Sequence, residues 1–158
     1  MAGTLSQRII GSLEQAAVLY NRLVLVVGPA GTGKTAALRE VAEARSLPLV
    51  SVNLELSRRL LELTEKQRAL RCAQILGEIV DQADGQTVLL DNLEVLFDPS
   101  LHQDPLRLLQ RLSRNRTVVA TWNGEIEGTY LTYAKPGHPE YQRYQASDLL
   151  VVAAPPAS

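Results

Sequence analysis

Residues 22–40 read "RLVLVVGPAGTGKTAALRE", and their order decides the fold. Leu23 to Val27 run apolar without a polar break, the pattern of a strand buried on both faces. Gly28 ends the run, and residues 28–35, "GPAGTGKT", keep the spacing Gly-x-x-x-x-Gly-Lys-Thr. Glycines let such a loop curl until its backbone N–H groups converge on phosphate oxygens, and a helix starting near Gly33 adds the positive end of its dipole. The expected nucleotide cradle is therefore Gly28, Pro29, Ala30, Gly31, Thr32, Gly33, Lys34, Thr35 and Ala36. Lys34 is expected to reach the β- and γ-phosphates, and the Thr35 hydroxyl to ligate magnesium. Without nucleotide, Lys34 is expected to stand in solvent.

Working outward, strands alternate with helices. Residues 5–20 have apolar positions at helical spacing, which predicts an N-terminal helix within 1–20. "KTAALREVAEARS" favours helix, "LPLVSVN" (47–53) reads as a second strand, and one long helix is predicted from Ser57, its N-cap, to about Ala83. "TVLLD" (87–91) is the third strand. Asp104 caps and Pro105 opens the next helix, "RTVVATW" (116–122) is the fourth strand, and "DLLVVAA" (148–154) the fifth. The pattern predicts a single α/β domain over 1–158: a five-stranded, mostly parallel sheet with helices on both faces. Residues 123–147 are predicted to be an irregular, tyrosine-rich insertion before the last strand. Tyr130, Tyr133, Tyr141 and Tyr144 there suggest a partner-binding element whose order depends on nucleotide, or else a local mini-core.

Composition narrows the function. The chain of 158 residues is 46% hydrophobic and 21% charged, as in ordinary globular proteins, and its net charge of −1 supplies no overall field toward nucleic acid or membrane. One cysteine, Cys72, and two histidines, His102 and His138, argue against disulfides and zinc. No apolar stretch approaches a membrane span and the N-terminus lacks a signal-peptide pattern, so the chain reads as cytoplasmic.

The third strand runs into "TVLLDNLEVL" (87–96). Asp91 at its tip is suited to hold magnesium, through water, beside Thr35. Asn92 occupies the place where many ATP-hydrolysing proteins carry a second acid. An amide orients water but takes no proton from it. Glu94 and Glu55 are the carboxylates available to substitute. Slow hydrolysis is expected, and Asn92→Glu is expected to raise it.

The strand order, phosphate loop and Asp91 resemble the additional-strand class of P-loop ATPases, which includes the AAA+ proteins. The resemblance implies the sheet order 5-1-4-3-2 and an ATP-bound Mg2+. It also implies a γ-phosphate sensor at the tip of the fourth strand, Asn123 first and Thr121 second. Members of that class continue past the fifth strand into a helical lid; in this chain no lid is expected. More narrowly, length, "GPAGTGKT", "LLDNLEVLF" and above all "GEIEGTYLTYAKPGHPEYQRY" (124–144) resemble BrxF, the small P-loop protein family of type 3 bacteriophage-exclusion (BREX) systems. That resemblance implies a defence protein working with other proteins of the same system.

Arg107, Arg111 and Arg114 share one helix face. They are read as a solvated face, an arginine finger for a neighbouring subunit in a homo-oligomer, or a DNA contact, the last not favoured at this net charge. A small-molecule kinase and a DNA-binding adaptor remain as alternative functions.

Overall fold

The computed structural model describes residues 3–155. In chain order these form α1 (Leu5–Ala16), β1 (Leu23–Gly28), α2 (Lys34–Arg45), β2 (Leu49–Ser51), α3 (Val52–Leu60), α4 (Glu65–Asp81), β3 (Thr87–Asp91), α5 (Pro105–Leu112), β4 (Thr117–Glu127), β5 (Tyr130–Tyr133), β6 (Gln142–Gln145) and β7 (Leu150–Ala153). Two short 3-10 turns, Glu94–Phe97 and Pro99–Leu101, follow β3. Parallel strands run in the order β2-β3-β4-β1-β7, the order expected for the five core strands.

Alternation along the central strands builds three layers. Leu23, Leu25 and Val27 of β1 face a core made with α3, α4 and α5, while Val24 and Val26 face the one made with α1 and α2. In β3, Val88 and Leu90 point to the first core and Leu89 to the second; in β4, Val118 and Ala120 point to the first and Val119 to the second. Helices cover both faces, which is why these strands read as unbroken apolar runs.

Three sequence expectations are corrected. The long helix from Ser57 is two helices. α4 begins at Thr64, whose Oγ1 accepts from Gln67 N (3.2 Å) while Gln67 Oε1 accepts from Thr64 N (2.9 Å), a reciprocal cap that Ser57 cannot form from inside α3. The second strand is shorter than 47–53, because Val52 and Asn53 already belong to α3. Residues 123–147 are largely ordered: β4 runs on to Glu127, and β5 and β6 extend it as an antiparallel three-stranded ribbon.

The ribbon is anchored by aromatic packing. Tyr133 stacks on Phe97 at 3.5 Å between ring centroids, and Trp122 meets Phe97, Tyr133 and Tyr144 edge to face. Trp122 Nε1 donates to the Thr132 carbonyl (3.0 Å), and Tyr144 donates to Asp104 (3.0 Å). Two of the four tyrosines thus form a mini-core, whereas Tyr130 lies under the Arg143 guanidinium.

Gly124 makes this approach possible, since a Cβ there would run into the Thr132 carbonyl oxygen and the Trp122 indole. Gly124→Ala is expected to cost about 3 kcal/mol, lowering Tm by roughly 6–12 °C and changing Trp122 fluorescence. An unshifted melt would contradict this packing.

Burial, with smaller contributions from Glu140 and Glu94, pushes the Tyr133 phenol up to about 12, and burial beside Asp104 raises Tyr144 as well. A phenol with a raised folded-state pKa contributes stability that is complete below its unfolded value near 10 and fades as pH rises through its folded value. Tyr133 alone accounts for about 3 kcal/mol between roughly pH 10 and 12. Thermal melts at pH 9 and 11 should show about half of this loss, and Tyr133→Phe should lessen it while Tyr144 keeps its own share.

Candidate nucleotide-binding site

The carboxyl ends of β1, β3 and β4 converge, as expected for a ligand site in an open parallel sheet. Gly31 and Gly33 adopt φ of 82° and 88°, the left-handed conformations that curl the loop, and α2 starts at Lys34. A cavity of about 330 Å³ opens over the loop, lined by Gly33, Lys34, Thr35, Asp91, Glu94 and Asn123 among others.

Strand parity places Asp91. It lies on the same face of β3 as Leu89, toward α2, and there its carboxylate accepts from Thr35 Oγ1 (2.7 Å) and from Thr121 Oγ1 (2.7 Å). Asp91 and Thr35 thus present hard oxygen donors side by side, a donor set that suits magnesium. Thr121 is turned toward Asp91, so it holds the carboxylate in place.

Lys34 departs from expectation. The residue is 5% exposed, and its ammonium donates to the carbonyl oxygens of Gly28 and Pro29, both at 2.6 Å. It is folded back along the loop rather than standing in solvent. Burial lowers its pKa, opposed by the nearby Asp91 and Glu94 carboxylates.

Asn92 has φ of 56°, a left-handed conformation that Asn tolerates better than most residues. Its amide donates to Ser51 Oγ (3.2 Å) at the end of β2. The same bend leads into the turn Glu94–Phe97 and brings the Glu94 carboxylate over the cavity. Glu94 accepts from Asn123 Nδ2 on one oxygen and from Asn53 Nδ2 (3.0 Å) on the other. The orientation of Asn53 follows from its other partner: Val95 N–H donates to Oδ1 (2.8 Å), leaving the NH2 for Glu94. Glu55 is not brought to the site; it pairs with Arg58 at 3.8 Å near the surface of α3. Sequence reasoning missed Asn53. Its signal was positional, a polar residue just past a short strand beside the Asp91 strand.

A larger cavity, about 530 Å³, adjoins the first and shares Ala30 and Asn123 with it. Residues of the ribbon and of the loop after β5 line it, among them Glu125, Glu127, Thr132, Lys135 and Tyr141.

Residues 24–119 match the family model described as "ATPase family associated with various cellular activities (AAA)". No curated protein matches the chain. Among solved structures, that of PCH-2 from C. elegans is similar over 98% of this chain, with 17% identity and a TM-score of 0.50. AMPPCP-bound DnaA from Aquifex aeolicus matches over 94%, with 17% identity and a TM-score of 0.45. The chain spans 42% of the first and 44% of the second, less than half of either.

Proposed function

The chain belongs to the AAA family of ATPases, and on that premise we propose that it is an ATP-binding switch or assembly component that hydrolyses its nucleotide slowly. The observation that carries this reading is the carboxylate of Asp91 bound to the phosphate-loop hydroxyl of Thr35, with Glu94 suspended between Asn53 and Asn123 on the same cavity.

In this reading the loop N–H groups and Lys34 bind the phosphates, Lys34 exchanging its two carbonyl contacts for phosphate oxygens. Thr35 and Asp91 would hold a magnesium ion, which would supply charge neutralisation at the phosphates. Glu94 accepts a proton from the attacking water, and the two asparagine amides keep its carboxylate from swinging away. Lys34 is the one cation among the described residues that line the phosphate cavity. A further cation from a second molecule fills that gap, and an arginine supplied in this way is worth about 10³- to 10⁵-fold.

The partners in this reading are other proteins of a bacterial anti-phage defence system in the cytoplasm, with homo-oligomerisation a further source of that cation. Its support is the resemblance of residues 124–144 and of the two nucleotide motifs to the BREX proteins. No helix among the described residues is long and apolar enough to cross a membrane. ATP titration with and without magnesium tests the core of the proposal, and failure to bind would end it. The larger cavity favours one second reading, a small-molecule kinase, because it adjoins the phosphate cavity, shares Ala30 and Asn123 with it, and is lined by Glu125, Glu127 and Lys135, polar groups suited to holding an acceptor. Phosphate released to water, rather than retained on an acceptor, separates the two.

A further inference from the structure

The end of the sheet opposite the phosphate loop carries a cluster that nucleotide chemistry leaves unused. Arg107, Arg111 and Arg114 are exposed on or just beyond α5, and at 1.5 Å per residue they fall within about 10 Å along the helix axis. The chain entering β1 is fastened to the same place: Arg22 N donates to the Ser113 carbonyl (2.9 Å), and Arg22 Nη2 to the Arg114 carbonyl (3.1 Å). Tyr20 is 76% exposed, with the Arg114 guanidinium 5.5 Å from its ring centroid, and Val18 beside it is also exposed. Arg107 pairs with Asp104 at 3.6 Å across an open surface, a contact worth little. Arg22, Arg111 and Arg114 form no ion pair among the described residues.

From this juxtaposition we infer that Tyr20, Arg22, Arg107, Arg111 and Arg114 form a docking surface for single-stranded nucleic acid. Guanidinium forks match phosphate oxygens, and an exposed ring offers a face on which a base stacks. Tyr20 decides between polyanions. A polymer of carboxylates such as polyglutamate would satisfy the arginines but offer the Tyr20 ring nothing to stack on it. The sequence alone pointed to a solvated face, because Tyr20 and Arg22 lie in another part of the chain and join the stripe only through the fold. The net charge of −1 makes the attraction local, so it should be strongly sensitive to salt. Arg22, to which Ser113 and Arg114 are fastened, lies about 20 Å from Gly28, the length of β1, so variants at Tyr20 and Arg111 test the surface without touching the nucleotide site.

The probe is a fluorescently labelled oligothymidylate of about 20 nucleotides, read by anisotropy. With three to four phosphates contacted, affinity should fall about 20- to 50-fold between 50 and 200 mM salt, a logarithmic slope of roughly −2 to −3. Arg111→Ala should flatten that slope by about 0.7, and Arg111→Lys should preserve it. Tyr20→Ala should weaken binding about fivefold or more at constant slope. ATP affinity should be unchanged in all three variants. Absence of binding at 50 mM salt overturns the inference. So does binding indifferent to Tyr20→Ala and displaced equally well by polyglutamate, which would assign the surface to an acidic protein.

Discussion

In the Lys34→Ala protein, ATP affinity falls by about 10- to 100-fold, the loss expected when one charge-assisted contact to phosphate is removed. The fold changes too, though less. The Lys34 ammonium is buried and satisfies the carbonyl oxygens of Gly28 and Pro29. Truncation leaves both acceptors unpaired in a half-closed loop, at a cost of about 1 kcal/mol, or a Tm lower by roughly 2–4 °C. Lys34→Met keeps the volume of the stem but, like Ala, removes the donor to both carbonyl groups, so an equal affinity loss in the two variants assigns it to the missing ammonium rather than to lost packing. Titration with ATP and magnesium, beside a thermal melt of each variant, reads both quantities. Affinity within a factor of about two of the parent, well below what one charged hydrogen bond supplies, would remove Lys34 from the phosphates.

The contrast between this lysine and its loop shows what the sequence carried. Strand, loop and helix from Leu23 to Arg45 were legible because local pattern alone dictates them: an unbroken apolar run, glycines where φ is positive, and helix formers after Gly33. The strand order was legible only by resemblance, since periodicity says nothing about which strand lies beside which. Where Lys34 points depends on two carbonyl groups whose directions are set by the curl of the loop, and no spacing rule encodes that. The break between α3 and α4 is written in Thr64 and Gln67 but hidden behind a stronger-looking cap at Ser57. The ribbon 124–145 was masked by the prolines and glycine of "KPGHP" (135–139), which interrupt only the loop between β5 and β6 and leave both strands intact. At the site, Asp91 and Thr35 were readable from motif position. Asn53 was not, because its role comes from three long-range bonds to residues 92, 94 and 95.

The proposed hydrolysis turns on Glu94. The left-handed backbone at Asn92 explains why an amide stands where an acid is common. A glutamate forced into that conformation costs about 1–2 kcal/mol, and its side chain would start out toward Ser51, as the Asn92 amide does. The bend instead delivers Glu94, and Asn53 and Asn123 fix the carboxylate from both sides. Glu94→Gln keeps the size and one acceptor oxygen but cannot take a proton, so ATP binding should persist while turnover falls by about 10²- to 10⁴-fold. Asn53→Ala should lower turnover less than Glu94→Gln does, because it loosens the carboxylate without removing it. Asn92→Glu, which the sequence alone suggested as a gain, should leave turnover unchanged and lower the melting temperature. The parent rate itself is expected to lie well below the roughly 1–100 s⁻¹ of efficient phosphoryl-transfer enzymes, so these variants are compared by single turnover with excess protein. If Glu94→Gln hydrolyses at the parent rate while Asn92→Glu accelerates, the water is activated from the end of β3 and Glu94 is not the proton acceptor.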